Sequence, residues 1–186
     1  MRIEWIVLAA LVAVAGAAVV IFNRLIRQRN QMREAWSGID VQLRRRSDLI
    51  PNLVAVVKAY AAHERGVFED ITAKRASSFA ADGTAQKAAA EQALQGALGR
   101  LLAVAEAYPQ LKADQTFRTL QEQLAEIEDQ LQMARRYFNG TVRDFNIAVQ
   151  SFPDVLIARL LGWHEEHFFE IDAASAVVPQ ISLSGA

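Results

Sequence analysis

The chain contains no cysteine, which removes disulfides, thiolate metal sites and cysteine nucleophiles together. Redox compartment therefore leaves no mark on it. Charge of one sign is also missing: 20 basic against 21 acidic residues give a net charge of -1. A chain so balanced is no electrostatic magnet for nucleic acid, and any charged partner has to be bound locally. No stretch alternates apolar and polar residues over strand length, so nothing supports a sheet. Glycine-rich phosphate loops, a nucleophile elbow and a kinase-like motif set are absent as well. With 186 residues there is room for one ordinary domain plus an anchor.

What is present is hydrophobicity, and it is concentrated at one end. The hydrophobic fraction is 52% with a mean hydropathy of +0.09, and from Trp5 through Phe22 no side chain is charged. Leu25 and Ile26 extend the run past Asn23 and Arg24. About 20 such residues, at about 1.5 Å rise each, cover the ~30 Å hydrocarbon core of a bilayer. The segment 5–26 is therefore predicted to be a transmembrane helix. Trp5 stands where an interfacial aromatic belongs, and the run exits into Arg24, Arg27, Arg29 and Arg33 against only Arg2 before it. That Lys/Arg asymmetry puts residues 1–4 outside and the body in the cytoplasm. A cleaved signal peptide is the alternative, with Ala13 and Ala15 as a mimic of its small-residue site. The run, however, stays apolar through Val19, Val20, Ile21 and Phe22, longer than such a peptide needs.

Behind the anchor the periodicity is helical. Between Asp114 and Gln150, Phe117, Leu120, Leu124, Ile127, Leu131, Ala134, Phe138, Thr141, Phe145 and Ala148 alternate steps of three and four. This is a heptad seam that keeps its phase through Asn139-Gly140, so one continuous helix is predicted. A second run leaves the membrane and continues through Met32, Trp36, Ile39, Leu43, Ile50, Leu53, Val57, Tyr60, Val67 and Ile71. Pro51 lacks a backbone donor and crowds the preceding turn, so a kink or a break is expected near Leu49. A third, alanine-rich segment runs from Thr84 to Ala107, bounded by Asp82-Gly83 and Tyr108-Pro109. A short amphipathic helix from Asp154 to about Leu161 should pack as a fourth element. The expected class is all-α: a transmembrane helix continuing into an elongated antiparallel bundle of three to four long helices over 27–172, with a disordered tail over 173–186.

Three groups of residues invite a function. Arg44, Arg45 and Arg46 beside Asp48 form a recognition patch for carboxylates, phosphates or head groups, or else a solvated face with intrahelical pairs. On a straight helix Arg45 lies about 30 Å beyond Phe22, farther than a Debye length of about 8 Å, so a protein partner suits the patch better than lipid. His164-Glu165-Glu166-His167 resembles the zincin spacing but is one residue short, and His63 is isolated from it in sequence. A metal-dependent enzyme using His63, His164 and His167 is the alternative these residues leave open. Trp163, Phe168 and Phe169 form an aromatic stretch that either packs on the last helix or docks another chain.

The chain resembles the LemA family of bacterial membrane proteins. The resemblance rests on Ala35-Trp36-Ser37-Gly38-Ile39-Asp40-Val41-Gln42-Leu43, on Arg44-Arg45-Arg46-Ser47-Asp48-Leu49-Ile50-Pro51-Asn52-Leu53-Val54, on Val57-Lys58-Ala59-Tyr60 and on His63-Glu64. Ala107-Tyr108-Pro109-Gln110-Leu111-Lys112, Arg135-Arg136-Tyr137-Phe138-Asn139, Phe145-Asn146 and Phe152-Pro153 with Leu156-Ile157-Ala158 extend it to about Phe169. Trp163-His164 departs from it in a loosely patterned region. The resemblance implies an anchor followed by a long-helix bundle in the bacterial inner membrane, with no established reaction. It also implies relatives linked to membrane organisation, including magnetosome formation, and genes beside that of a membrane zinc metalloprotease. The expectation is thus a non-enzymatic scaffold or adaptor without cofactor or small-molecule substrate. Its partners would be the lipid bilayer, further copies of itself and another membrane protein such as a protease. A signalling component is a further alternative, with no sensor or kinase signature behind it.

Overall fold

The structure, a computed structural model, describes residues 2–170, and among these it contains six helices and no strand. The expectation for the tail over 173–186 lies outside the described residues. The helices are α1 (Ile3–Tyr60), α2 (Arg65–Ala80), α3 (Thr84–Glu106), α4 (Pro109–Ala113), α5 (Gln115–Gln150) and α6 (Asp154–Leu160). Among the described residues they form two compact units, one of 2–48 with 122–168, the other of 49–121 with 169–170.

In the first unit, α1 begins with the apolar run. Among the described residues this is the one helix long and apolar enough to cross a membrane, and none of its most apolar window is buried against protein. A soluble core helix would hide that surface; here it is left for lipid, and the protein is membrane-anchored. Burial begins at Leu25 and continues at Met32, Ala35, Ile39 and Leu43. The facing stripe on α5 is Leu124, Ile127, Leu131, Phe138, Val142, Phe145, Ala148 and Val149. Trp36 meets Phe138 with ring centroids 5.3 Å apart, and Arg46 meets Glu128 at 2.7 Å. Ten residues forward on α1 thus correspond to ten residues back on α5, which makes the pair antiparallel. The seam expected on α5 holds, except that Ala134 and Thr141 are only half-buried while Val142 is fully buried. The Thr141 hydroxyl instead donates to the Phe138 carbonyl at 2.7 Å, within its own helix.

In the second unit, α2 and α3 form an antiparallel hairpin. Gly83 turns the chain with φ of 79°, a left-handed conformation that a side chain would resist, and its N–H is held by the Asp82 carboxylate at 2.9 Å. Far from the turn, Arg100 pairs with Asp70; near it, the Ser78 hydroxyl donates to the buried Glu91 carboxylate. Lys87 donates to the Ser78 carbonyl at 2.7 Å, so this polar cluster sits inside an otherwise apolar hairpin. Phe68, Ile71, Leu94, Leu98 and Leu101 are buried around it.

One boundary departs from expectation, and at Pro51 one of two alternatives is excluded. α1 runs through Pro51 without a break. Pro51 is exposed, while Ile50, Leu53 and Val57 on the other face are buried, and their packing offsets a cost of about 3 kcal/mol for an interior proline. The helix ends instead at Tyr60, and Ala61–Glu64 separates it from α2. Neither glycine nor proline marks this stop, and seven residues from Tyr60 to Val67 preserve the heptad phase, which hides the break from periodicity. At the other end, Pro109 terminates the run of α3 but also starts α4, at a position where a helix needs no donor.

Candidate functional site

The arginine run divides along its helix. Residues 44, 45 and 46 are about 100° apart on α1, so they cannot share one face. Arg44 is exposed and pairs with Asp40 one turn earlier at 2.8 Å. Arg45 and Asp48 are exposed. Arg46 points the other way, is fully buried, and is bound by Glu128. A buried guanidinium needs an ionised partner within hydrogen-bonding reach, and α5 supplies it.

The second gathering lies at the corner where α1 leaves its apolar run. Leu25, Phe145, Ala148, Val149 and Ala158 form one core, with Ile21, Ile157 and Trp163 packed against it. Arg24 forms an ion pair with Asp154, the buried first residue of α6. The chain reaches this place through Ser151-Phe152-Pro153, where α5 stops, and leaves it through a glycine turn. The Trp163 N–H bonds the Ala158 carbonyl at 2.9 Å and the Gly162 N–H bonds that of Arg159 at 3.1 Å, with Gly162 at φ 67°. This pattern is a Schellman motif, which requires a left-handed residue just past the helix. It folds Trp163 back so that its ring lies 6.3 Å from Phe145 and 5.0 Å beneath the Arg29 guanidinium. Further on, Asn146 clamps the chain from both sides: its amide donates to the Glu166 carbonyl at 3.0 Å, and its oxygen accepts the Glu166 N–H at 2.8 Å.

The aromatic stretch is thereby split. Trp163 is half-buried in the corner, Phe168 is exposed and Phe169 is buried. His164 and His167 are exposed in the segment after α6, and His63 is exposed in the turn between α1 and α2. Among the described residues no group of three or more His, Asp or Glu side chains is arranged to hold a metal ion.

A further polar link belongs to the second unit. Tyr60, the last residue of α1, donates its hydroxyl to the Asp114 carboxylate at 3.0 Å, while the other oxygen of Asp114 accepts the Phe117 N–H at 3.0 Å. Asp114 therefore caps α5. The backbone donor from Phe117, then the Tyr60 hydroxyl, hold its carboxyl below the ordinary aspartate range; the same bond and the carboxylate charge push the Tyr60 hydroxyl up.

The sequence draws attention to Arg46 and Trp163 but does not pair them with Glu128, Phe145 or Arg29. Glu128 lies outside the apolar seam of α5, and the sequence presents Arg24 only as a charge flanking the anchor. Asn146 and Glu91 interrupt apolar stripes, and a polar residue in such a stripe is the signal that could have found them.

Comparison with known proteins finds relatives that match most of the chain. The magnetosome protein MamQ of Magnetospirillum gryphiswaldense is 27% identical over 201 residues, covering 92% of this chain and 74% of the relative. Magnetosome protein MamQ 2 of Paramagnetospirillum magneticum is 25% identical over the same shares. The LemA family model matches residues 35–183, which takes in the arginine run and the α5 and α6 side of the corner, while Ile21, Arg24, Leu25 and Arg29 precede it. The chain belongs to the LemA family.

Proposed function

We propose that the protein is a non-catalytic scaffold of the bacterial inner membrane, whose bundle associates with further copies of itself or holds another membrane protein. The observation that carries this reading is the continuity of α1. One unbroken helix takes the lipid-facing run into the body, where Trp36, Arg46 and the corner fasten it to α5. A body so attached transmits position with little freedom, as a scaffold must. Arg45 and Asp48 stay exposed on this rod, and Tyr137 and Met133 stand exposed on α5, so protein-facing chemistry is available away from the bilayer. The kinship with proteins named for the magnetosome supports a role in membrane organisation. A membrane protease is the partner class raised by the family resemblance.

Orientation follows from Arg24, Arg27, Arg29 and Arg33 on the body side of the run, which favour a cytoplasmic body. A photo-crosslinking residue at Arg45 or Trp163 in intact cells should give discrete homo-oligomers or one specific adduct. A chain that remains monomeric and partnerless defeats the proposal. A fluorescent protein that matures only in the cytoplasm, fused after Ala186, should be bright.

A further inference from the structure

Helix α6 has two faces of opposite use. Asp154 and Ala158 point into the corner and are fully buried. On the other face Leu156 is 58% and Leu160 82% exposed, and Phe152, one turn before Leu156, is 80% exposed. Three large apolar side chains, two on α6 and one in the turn just before it, are exposed close together in sequence and form a patch that water does not favour.

Its position indicates the occupant. The corner packs on Ile21 and Leu25, and α6 is tied by its Asp154 to Arg24. From Ile3 to Ile21 the helix rises about 27 Å, close to the ~30 Å of hydrocarbon it would cross. The patch is thus attached at the level where α1 leaves the bilayer, next to the apolar belt already exposed to lipid. Charge agrees: Asp154 is turned inward against Arg24, and Arg159 is exposed beside Leu156 and Leu160, so the outer face is apolar and cationic. An apolar face flanked by an arginine suits an interface containing anionic head groups. A second copy of the chain would have to reach the patch past the lipid surface that α1 occupies.

We propose that the α5–α6 corner is a second membrane contact, in which Phe152, Leu156 and Leu160 enter the head-group and upper acyl region while Arg159 binds lipid phosphate. The contact sets how the body sits on the bilayer, and it does not depend on the bundle having a protein partner.

The absence of cysteine permits a direct test. The full chain carrying Leu160→Cys or Leu156→Cys, labelled with a polarity-sensitive fluorophore, is reconstituted into vesicles of mixed zwitterionic and anionic phospholipid. Met133→Cys, 55% exposed on α5, serves as the control. Membrane partitioning alone is uninformative because α1 anchors every variant, so the readout is quenching. Lipids brominated near the head group should lower emission from positions 156 and 160 to about half and leave position 133 unaffected, with aqueous iodide showing the reverse preference. Quenching of 156 and 160 by iodide but not by lipid overturns the proposal. Protection from both quenchers also overturns it, because protein then covers the patch. Both leucines are exposed, so helical circular dichroism of the labelled chains should match the parent.

Discussion

The guanidinium of Arg46 on α1 is fully buried and donates to the carboxylate of Glu128 on α5 at 2.7 Å, across 82 residues of sequence. It is the last of three consecutive arginines, yet it alone of them faces the core. Its charge is tolerated there because Glu128, itself partly exposed, lies within direct reach.

Replacing Glu128 with Ala should therefore destabilise the detergent-solubilised chain by about 1.5–3 kcal/mol, the range for hydrogen bonds to charged groups. Joint replacement of Arg46 with Met and Glu128 with Leu should recover much of that loss, because a buried charge no longer needs a partner. Guanidinium unfolding followed by circular dichroism measures both. Equal losses in the two variants would count against the pair as a source of stability.

The link between Tyr60 and Asp114 carries a pH signature. An aspartate whose carboxyl is lowered in the folded chain contributes stability that is complete above its unfolded value of about 3.9 and is lost as pH falls through the folded value. Asp114→Asn keeps a cap acceptor but removes the titration, so its melting temperature should converge on the parent's below that window. Tyr60→Phe deletes one cause of the lowering, and the Asp114 carboxyl should titrate at higher pH in carbon-detected NMR.

Gly162 occupies a left-handed conformation at the end of α6. Gly162→Ala should cost about 1–2 kcal/mol and loosen the return of Trp163 onto Phe145. Emission from Trp163, isolated by replacing Trp5 and Trp36 with Phe, should shift to the red in this variant. Unchanged emission and stability would show that the glycine turn does not place the indole.

Val12 lies midway along the exposed apolar run of α1. A lysine there should oppose insertion by about 2.5–3.5 kcal/mol. After alkaline extraction of membranes, a larger share of Val12→Lys than of the parent should appear in the supernatant or in aggregates. Complete retention would mean that the run is not what holds the protein to the bilayer.

Helical class, the anchoring run, the α5 seam, the loop at Asp82-Gly83 and the start of α6 were all legible in the residues, because each depends on local chemistry. Heptad spacing, a glycine turn and a charge-free stretch act within a few residues of themselves. The stop after Tyr60 was not legible, since Tyr60 and Val67 keep the same phase on either side of it. At Pro51 the residues allowed a kink or a break, and the structure excludes the break, with Ile50, Leu53 and Val57 packed on the face opposite the proline.

Of the candidate residues, the sequence alone determined which had charge or aromatic bulk. Only the tertiary structure decided their use. It turned Arg46 inward to Glu128 while leaving Arg45 outside, brought Arg24 to Asp154, and folded Trp163 onto Phe145 beneath Arg29. The reason is that side-chain direction on a helix is set by local geometry, whereas the worth of that direction depends on what another helix, many residues away, presents to it.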